Sequence, residues 1–273
     1  TVRRCSFVQN TGTIGGAIVN NGGDGGPTAT LDVIDSTFNG NTSNQRGAAI
    51  YNRGVNGGNA VVRITNSTFS LNDNFGGGFL GILDNDGDTG FADMTVTNST
   101  LSNNSGRSVV NVGTNGGIGN FTIGNTIMNV TGFSNFLNGL GTITSLGYNI
   151  ANDNGGGFLA STGDQINTNP NLGSLQNNGG TTSTVAPNPG SPALDMGKDI
   201  GPVSPSDPAT GADQRGSSRP VTYSVSITPP PGGDRSDIGA VELSGPTPTS
   251  TPTPEETPSV SGVIRYGNAI GNP

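Results

Sequence analysis

The sequence predicts an all-β protein, a parallel β-helix (solenoid) in which short strands stack rung upon rung. A motif with Ser or Thr before an apolar anchor residue and Asn after it recurs along the first half of the chain. Successive anchors are 31, 31, 32 and 27 residues apart, and a repeat of this length is typical of a solenoid. The anchors are Phe7, Phe38, Phe69, Leu101 and Met128.

Apolar and polar residues alternate on the N-terminal side of each anchor. This period of two is that of a half-buried strand, so we expect the apolar columns inside the solenoid and the intervening polar column in solvent. The apolar columns are Val2, Val33, Ile64, Val96 and Ile123, and Leu31, Val62, Met94 and Phe121. The intervening column is Asp32, Arg63, Thr95 and Thr122.

Asn marks two further columns, three residues before and three residues after the anchor. An Asn at a corner can bond through its side-chain amide to the same residue type one rung away. A second short strand and a loop rich in Gly and Asn complete each rung. The columns are Asp35, Asn66, Asn98 and Asn125 before the anchor, and Asn10, Asn41, Asn72 and Asn104 after it.

Composition agrees with a repeat fold and excludes several functions. Only 30% of the 273 residues are hydrophobic, which is low for a compact core but sufficient for rungs that each bury a thin stripe. A net charge of −8 with 11 Lys and Arg argues against nucleic acid or an anionic membrane as partner. The chain has no His, which excludes catalysis by imidazole and metal ligation by imidazole. Its one cysteine, Cys5, excludes an intrachain disulfide.

The repeat pattern divides the chain into four parts. We expect parallel β-helix rungs over 1–150, then the final rung or rungs and an irregular cap over 151–243 that covers the end of the solenoid. A Pro- and Thr-rich linker over 244–259 is expected to be extended. Residues 260–273 read as the start of a further β module, and both ends are expected to be cut from a longer polypeptide. No apolar run is long enough to span a membrane.

Two sets of motifs carry a family resemblance. Phe7-Val8-Gln9-Asn10 with Gly15-Gly16-Ala17-Ile18 is similar to the repeat of polymorphic outer-membrane proteins, and a series of motifs over 147–242 resembles the choice-of-anchor Q domain of bacterial surface proteins. The resemblance implies a right-handed β-helix, export to the bacterial cell surface and anchoring through a C-terminal module, with no established chemistry. The series runs Gly147-Tyr148-Asn149, Pro170 to Leu175, Asn178 to Thr181, Gly190 to Asp195, Asp213 to Gly216, Arg219-Pro220 and Asp237 to Glu242.

One loop has the composition of a metal site. Asp84, Asp86 and Asp88 stand at alternate positions, and carboxylate oxygens at this spacing can hold calcium. The alternative interpretation is a solvated Asp-Gly turn. We therefore name these three residues as the metal candidates, with calcium as the only cofactor considered.

Other polar residues have a structural and a functional interpretation. Asp32 and Arg63 form either a cross-rung ion pair or part of a sugar-cleaving site, although glycoside hydrolysis usually needs two close carboxylates. Cys5 stands in a column of Ser residues and is interpreted as a small-residue substitute.

The Thr columns offer either a flat binding face or ordinary solvated strands. They are Thr37, Thr68 and Thr100, and Thr65 and Thr97. The charged residues of the cap are interpreted as a ligand site or as ion pairs and turn bonds; they are Asp195, Asp213, Arg215, Arg219, Asp237 and Glu242.

We predict from these patterns a non-catalytic exported protein that serves as a stalk or adhesin-like segment and has extracellular glycans or proteins as partners. No catalytic or cofactor-binding residue is assigned. The alternative is a β-helix that binds or cleaves polysaccharides, and a minor alternative is ice binding through a flat Thr face.

Overall fold

The computed structural model describes residues 1–76, 81–201 and 211–245. The predicted linker, apart from its first two residues, and the predicted further module over 260–273 lie outside this part of the chain. The strands in chain order are β1 (Val2–Arg3), β2 (Ser6–Val8), β3 (Thr11–Ile14), β4 (Ile18–Gly22), β5 (Ala29–Ile34), β6 (Thr37–Asn39), β7 (Thr42–Arg46), β8 (Ile50–Gly54), β9 (Asn59–Thr65), β10 (Thr68–Ser70), β11 (Asp73–Asn74), β12 (Gly81–Asp86), β13 (Phe91–Thr97), β14 (Thr100–Asn104), β15 (Arg107–Val112), β16 (Ile118–Gly124), β17 (Ile127–Val130), β18 (Phe136–Gly139), β19 (Thr142–Ser145), β20 (Ile150–Ala151), β21 (Leu172–Gln176) and β22 (Thr184–Pro187).

Four parallel sheets form the sides of a β-solenoid, as the sequence predicts. Sheet A has the order β1-β5-β9-β13-β16-β19, sheet B β2-β6-β10-β14-β17-β20, sheet C β11-β7-β3 and sheet D β18-β15-β12-β8-β4. Consecutive strands of the chain therefore enter different sheets, while neighbours within a sheet come from successive copies of the repeat. Strands β21 and β22 form a separate antiparallel pair.

The anchor residues form one internal column in sheet B. Phe7 pairs with Phe38, Phe38 with Phe69, Phe69 with Leu101, and Leu101 with Met128. The three Phe rings stack with centroids 4.7 and 4.8 Å apart, which is the spacing of hydrogen-bonded strands. The predicted register is confirmed.

The remaining core columns come from sheets A and D. In sheet A, Val33 pairs with Ile64 and Ile64 with Val96, as the alternation predicts. In sheet D, Leu83 lies between its strand partners from the neighbouring rungs and is fully buried. Because each rung adds only a few such residues to a narrow core, a low apolar content is enough to fill it.

A ladder of Asn side chains follows the anchor column at the predicted corner. The amide nitrogen of Asn10 donates to Asn41 Oδ1 at 2.8 Å, that of Asn41 to Asn72 at 2.9 Å, and that of Asn72 to Asn104 at 3.0 Å. The Asn41 amide also donates to the carbonyl of Phe7. These bonds satisfy polar groups at the edge of the core and confirm the prediction.

A second Asn ladder follows sheet D and was missed in the sequence. Asn20, Asn52, Asn85 and Asn111 each donate to the Asn of the next rung, at 2.8, 2.8, 2.8 and 2.9 Å, and Asn138 is the last acceptor. The signal was an Asn two residues after the apolar residue of each second strand. The distance from the anchor to this Asn varies from 10 to 16 residues between rungs, which obscured the signal.

Each of the first four rungs turns a corner two residues after its anchor, with a left-handed backbone. The φ angles are +55° at Gln9, +65° at Gly40, +57° at Leu71 and +57° at Asn103. A left-handed conformation costs a residue such as Leu about 1–2 kcal/mol, whereas Gly and Asn adopt it more readily. Leu71 is 57% exposed, so little packing offsets this cost.

Leu71→Asn is therefore expected to raise the free energy of unfolding by about 1 kcal/mol. Urea unfolding followed by circular dichroism measures the change. Asn103→Leu is the matched reverse substitution, at the same corner of the next rung, and is expected to lower stability by a similar amount. Equal stability of all three proteins would contradict the proposed strain.

The C-terminal region covers the end of the core only in part. Phe158 and Leu159, next to a short 3₁₀ helix over Gly155–Gly157, pack against the core cluster. The later residues fold back along the outer side of sheet B, where they contact Thr37, Thr68 and Thr100. The cap over 151–243 stays a prediction. We call residues 182–201 and 211–243 the flank segment.

The composition of sheet B explains this position of the flank segment. Ile127 and Ile150 point away from the core and form a second apolar cluster with Ala193 and Ile238 of the flank segment. If these side chains were exposed, they would form an apolar surface. Their burial under the flank segment therefore contributes to stability. Asn66, at the corner before β10, also donates to the carbonyl of Ala212 at 2.9 Å.

Candidate functional site

The Thr columns proposed as a binding face are covered. Thr37, Thr68 and Thr100 are 2%, 0% and 1% exposed. Gln214 of the flank segment donates to Thr37 Oγ1 at 2.9 Å and accepts from Thr68 Oγ1 at 2.6 Å. Thr65 and Thr97 are also buried. The prediction that these columns face solvent is wrong, and they do not form an ice-binding face.

The Asp32–Arg63 pair is a cross-rung ion pair, as its structural interpretation predicted. The guanidinium Nη1 of Arg63 lies 3.3 Å from Asp32 Oδ1. Asp32 is nevertheless only 6% exposed, so the prediction that it faces solvent is wrong, while Arg63 and Thr95 are half-buried. Asp93 lies in the neighbouring outward column, and burial raises the pKa of its carboxyl group although Arg63 opposes the shift.

Cys5 stands in the Ser column as predicted. Its backbone N–H donates to Ser36 Oγ at 3.2 Å, in the same way that Ser36 N–H donates to Ser67 Oγ. Its thiol donates to the carbonyl of Arg3. These contacts give Cys5 a structural place in the first rung.

Two of the three calcium candidates bind an arginine. Asp84 and Asp86 lie on the same outward side of β12, because side chains two residues apart in a strand share a face. Arg46, at the end of β7, contacts both: Nε lies 2.8 Å from Asp84 Oδ2 and Nη2 lies 2.8 Å from Asp86 Oδ2. Tyr51 donates its hydroxyl hydrogen to Asp86 at 2.8 Å, and its ring lies under the guanidinium, 5.3 Å from Cζ. We call Arg46, Tyr51, Asp84 and Asp86 the sheet D cluster.

The third candidate has other partners. Asp88 Oδ1 accepts from Asn115 at 2.6 Å and from the Thr114 hydroxyl at 3.3 Å, both in the loop of the next rung. Within 1–76, 81–201 and 211–245, no group of three or more Asp, Glu or Cys side chains is arranged to hold a metal ion. Calcium at Asp84, Asp86 and Asp88 stays a prediction, and in this structure Arg46 supplies the positive charge that balances the first two.

Burial dominates the electrostatics of the sheet D cluster. Desolvation raises the pKa of Asp84 to about 7, and Arg46 opposes the shift. The pKa of Tyr51 is also raised, chiefly by burial and then by the charge of Asp86. The side chain of Asp84 is fully buried, so a substrate would reach this carboxyl only if the surrounding side chains moved.

The charged residues of the flank segment form a second cluster, which we call the flank cluster. Arg219 Nε lies 3.4 Å from Glu242 Oε2, and both side chains are fully buried. Glu242 accepts from the backbone N–H groups of Val221 at 2.7 Å and Asp237 at 2.8 Å. Asp195 accepts from two further backbone N–H groups at 2.7 Å each. The interpretation as ion pairs and turn bonds is confirmed.

Burial also raises the pKa of the carboxyl groups in the flank cluster. The pKa of Glu242 is raised to about 8 and that of Asp237 to about 6, in both cases chiefly by desolvation, with Arg219 opposing. A folded-state pKa above the usual value of 4.5 means that the folded protein holds this proton more tightly than the unfolded chain. The contribution of Glu242 to stability therefore falls as the pH rises from about 4.5 to about 8.

A cavity of about 530 Å³ opens beside the flank cluster. Arg215 stands at its wall and is held by Asp213, with Nε and Oδ2 2.8 Å apart, and by the carbonyls of Asn178 and Glu242. Sequence reasoning missed the cavity because two distant stretches of the chain form it. Its lining is Arg215, Gly216, Ser217, Ser218, Val221, Glu242, Leu243 and Ser244.

Fold and sites together define a parallel β-solenoid with a flank segment that shields one of its sheets. No family model matches the chain, and searches of curated proteins and of solved structures gave no match either. In the part of the chain described above, no helix is long and apolar enough to cross a membrane.

Proposed function

We propose that this chain is a structural β-solenoid segment of an exported bacterial surface protein, with a stalk or adhesin-like role and no catalytic activity. The observation that carries the proposal is the continuity of the internal columns. Stacked anchor residues run from Phe7 to Met128, and the two Asn ladders run from Asn10 to Asn104 and from Asn20 to Asn138. A rod of this kind resists bending and unfolding because each rung is held by its neighbours.

The arrangement of the charged groups supports a structural role. Catalytic carboxylates have to reach a substrate, whereas Asp84 and Glu242 are buried and held by Arg46 and Arg219. The surface location is supported by the Pro- and Thr-rich stretch after Gly245 and by the sequence resemblance to surface-anchored β-helix proteins. The right-handed sense of the helix belongs to the same proposal.

Incubation with a panel of polysaccharides tests the proposal. We expect no release of reducing sugar and no unsaturated product, because no described carboxylate pair is both exposed and free of an internal ion pair or hydrogen bond. Product release that Asp84→Asn with Asp86→Asn abolishes would overturn the proposal in favour of polysaccharide cleavage. Product release that these substitutions leave unchanged would also overturn it and would place the active site elsewhere.

A further inference from the structure

Hydroxyl groups contribute to the lining of the cavity beside the flank cluster. Three of its lining residues, Ser217, Ser218 and Ser244, are exposed. Among the described residues, their hydroxyl groups have no hydrogen-bond partner in the protein. The hydroxyls of Ser36, Ser67 and the other Ser residues of the internal column, in contrast, each bond to a backbone carbonyl.

The two ionisable side chains of the cavity wall, Arg215 and Glu242, already have side-chain partners. Arg215 is paired with Asp213 at 2.7 Å, and Glu242 with Arg219 at 3.4 Å. A charged ligand would therefore lose its hydration without gaining an unpaired partner, and burial of such a charge is costly. The cavity is therefore better suited to a neutral ligand than to a charged one.

The remaining groups define the chemistry of that ligand. Each Ser hydroxyl can donate one hydrogen bond and accept others, while Val221 and Leu243 supply apolar wall. A volume of about 530 Å³ lies in the range of small-molecule sites, which combine an apolar lining with a few polar groups. A neutral sugar ring presents both chemistries, with hydroxyl groups at its rim and C–H groups on its faces.

We propose that this cavity binds a neutral sugar residue of an extracellular glycan, with Ser217, Ser218 and Ser244 as its hydrogen-bonding groups. The inference extends the proposed adhesin-like role and rests on it for the source of the ligand. The flank segment then has two functions, because the turns that shield sheet B also build the binding site together with the adjoining Ser244.

Titration with neutral hexoses and N-acetylhexosamines, followed by amide NMR shifts, tests the inference. We expect saturable shifts at the amides of Ser217, Ser218 and Ser244, with weaker shifts for hexuronates and for protonated amino sugars. Ser217→Ala with Ser218→Ala removes two hydrogen-bonding groups and is expected to weaken binding about tenfold or more. Ser174→Ala, an exposed serine on β21, is the matched control and should bind as the unchanged protein does.

Absence of shifts with every sugar would overturn the inference. It would also be overturned if the double variant bound as tightly as the control, or if charged sugars bound best. None of these results would affect the structural role, which the polysaccharide panel tests separately. Because the two Ser residues are exposed, both variants are expected to keep the thermal unfolding midpoint of the unchanged protein, and equal midpoints show that a loss of binding is not a loss of folding.

Discussion

Arg46→Met is expected to lower the free energy of unfolding by about 3–5 kcal/mol, because removing one partner of a buried ion pair leaves an uncompensated charge. The substitution leaves Asp84 and Asp86 side by side, with Asp84 fully buried. Without Arg46 the pKa of Asp84 rises further, so the folded variant has to hold either a proton or an uncompensated charge that the unfolded chain does not hold. Urea unfolding followed by circular dichroism, at a pH where both groups are ionised in the unfolded chain, measures the loss.

Arg63→Met is the matched control. Arg63, like Arg46, forms an ion pair with an Asp of a neighbouring rung, in its case Asp32. Its side chain is 29% exposed, and such a pair contributes about 0–1 kcal/mol. The combination of Arg46→Met with Asp84→Asn and Asp86→Asn should recover much of the loss, because no net charge is then buried. A cost for Arg46→Met no larger than that for Arg63→Met would show that the sheet D cluster is not a buried ion pair in solution.

Asn52→Asp is expected to be the second most damaging substitution, with a loss of about 3 kcal/mol or more, since an ionised carboxylate is placed among buried acceptors. The Asn52 amide donates to Asn85 Oδ1 and to the carbonyls of Ala60 and Asp93, at 2.8, 3.2 and 3.0 Å. A carboxylate of the same shape has no hydrogen to donate and faces three oxygen atoms. Urea unfolding at neutral pH measures the change.

The pH dependence of this variant has a predictable sign. Its surroundings would raise the folded-state pKa of the new carboxyl group, so the variant should regain stability relative to the unchanged protein as the pH falls through that pKa. Asn138→Asp is the control, because Asn138 is the last acceptor of the ladder and its own amide donates only to the Gly141 carbonyl. Equal losses of unfolding free energy for Asn52→Asp and Asn138→Asp would contradict the idea that the buried amide donors of the ladder stabilise the fold.

The repeat pattern predicted one of the two Asn ladders and not the other. The anchor column and the Asn column after it were predictable because each recurs at nearly the same spacing, and stacking in register brings equal positions together. The sheet D ladder uses the same chemistry but was missed. The stretch between the anchor and the ladder Asn differs in length from rung to rung, which changes the spacing without changing the register.

The sheet D cluster could not be predicted in the same way. Three Asp residues at alternate positions are visible in the sequence, and a cation was the reasonable partner. The partner in the structure is Arg46, which is 38 residues before Asp84. Arg46 reaches the cluster because sheets C and D adjoin, and no local sequence pattern predicts this contact.

The sequence by itself determined the β-solenoid, its register and its internal spine, because period-two alternation and a fixed repeat length leave one way to stack the rungs. The tertiary structure alone decided the position of the flank segment, the burial of the Thr columns, the pairing of Arg46 with Asp84 and the cavity beside Glu242. The physical reason is that these features depend on contacts between stretches that do not repeat. Their residues stand at no regular spacing, and the folded chain brings them together around apolar surface that the rungs leave uncovered.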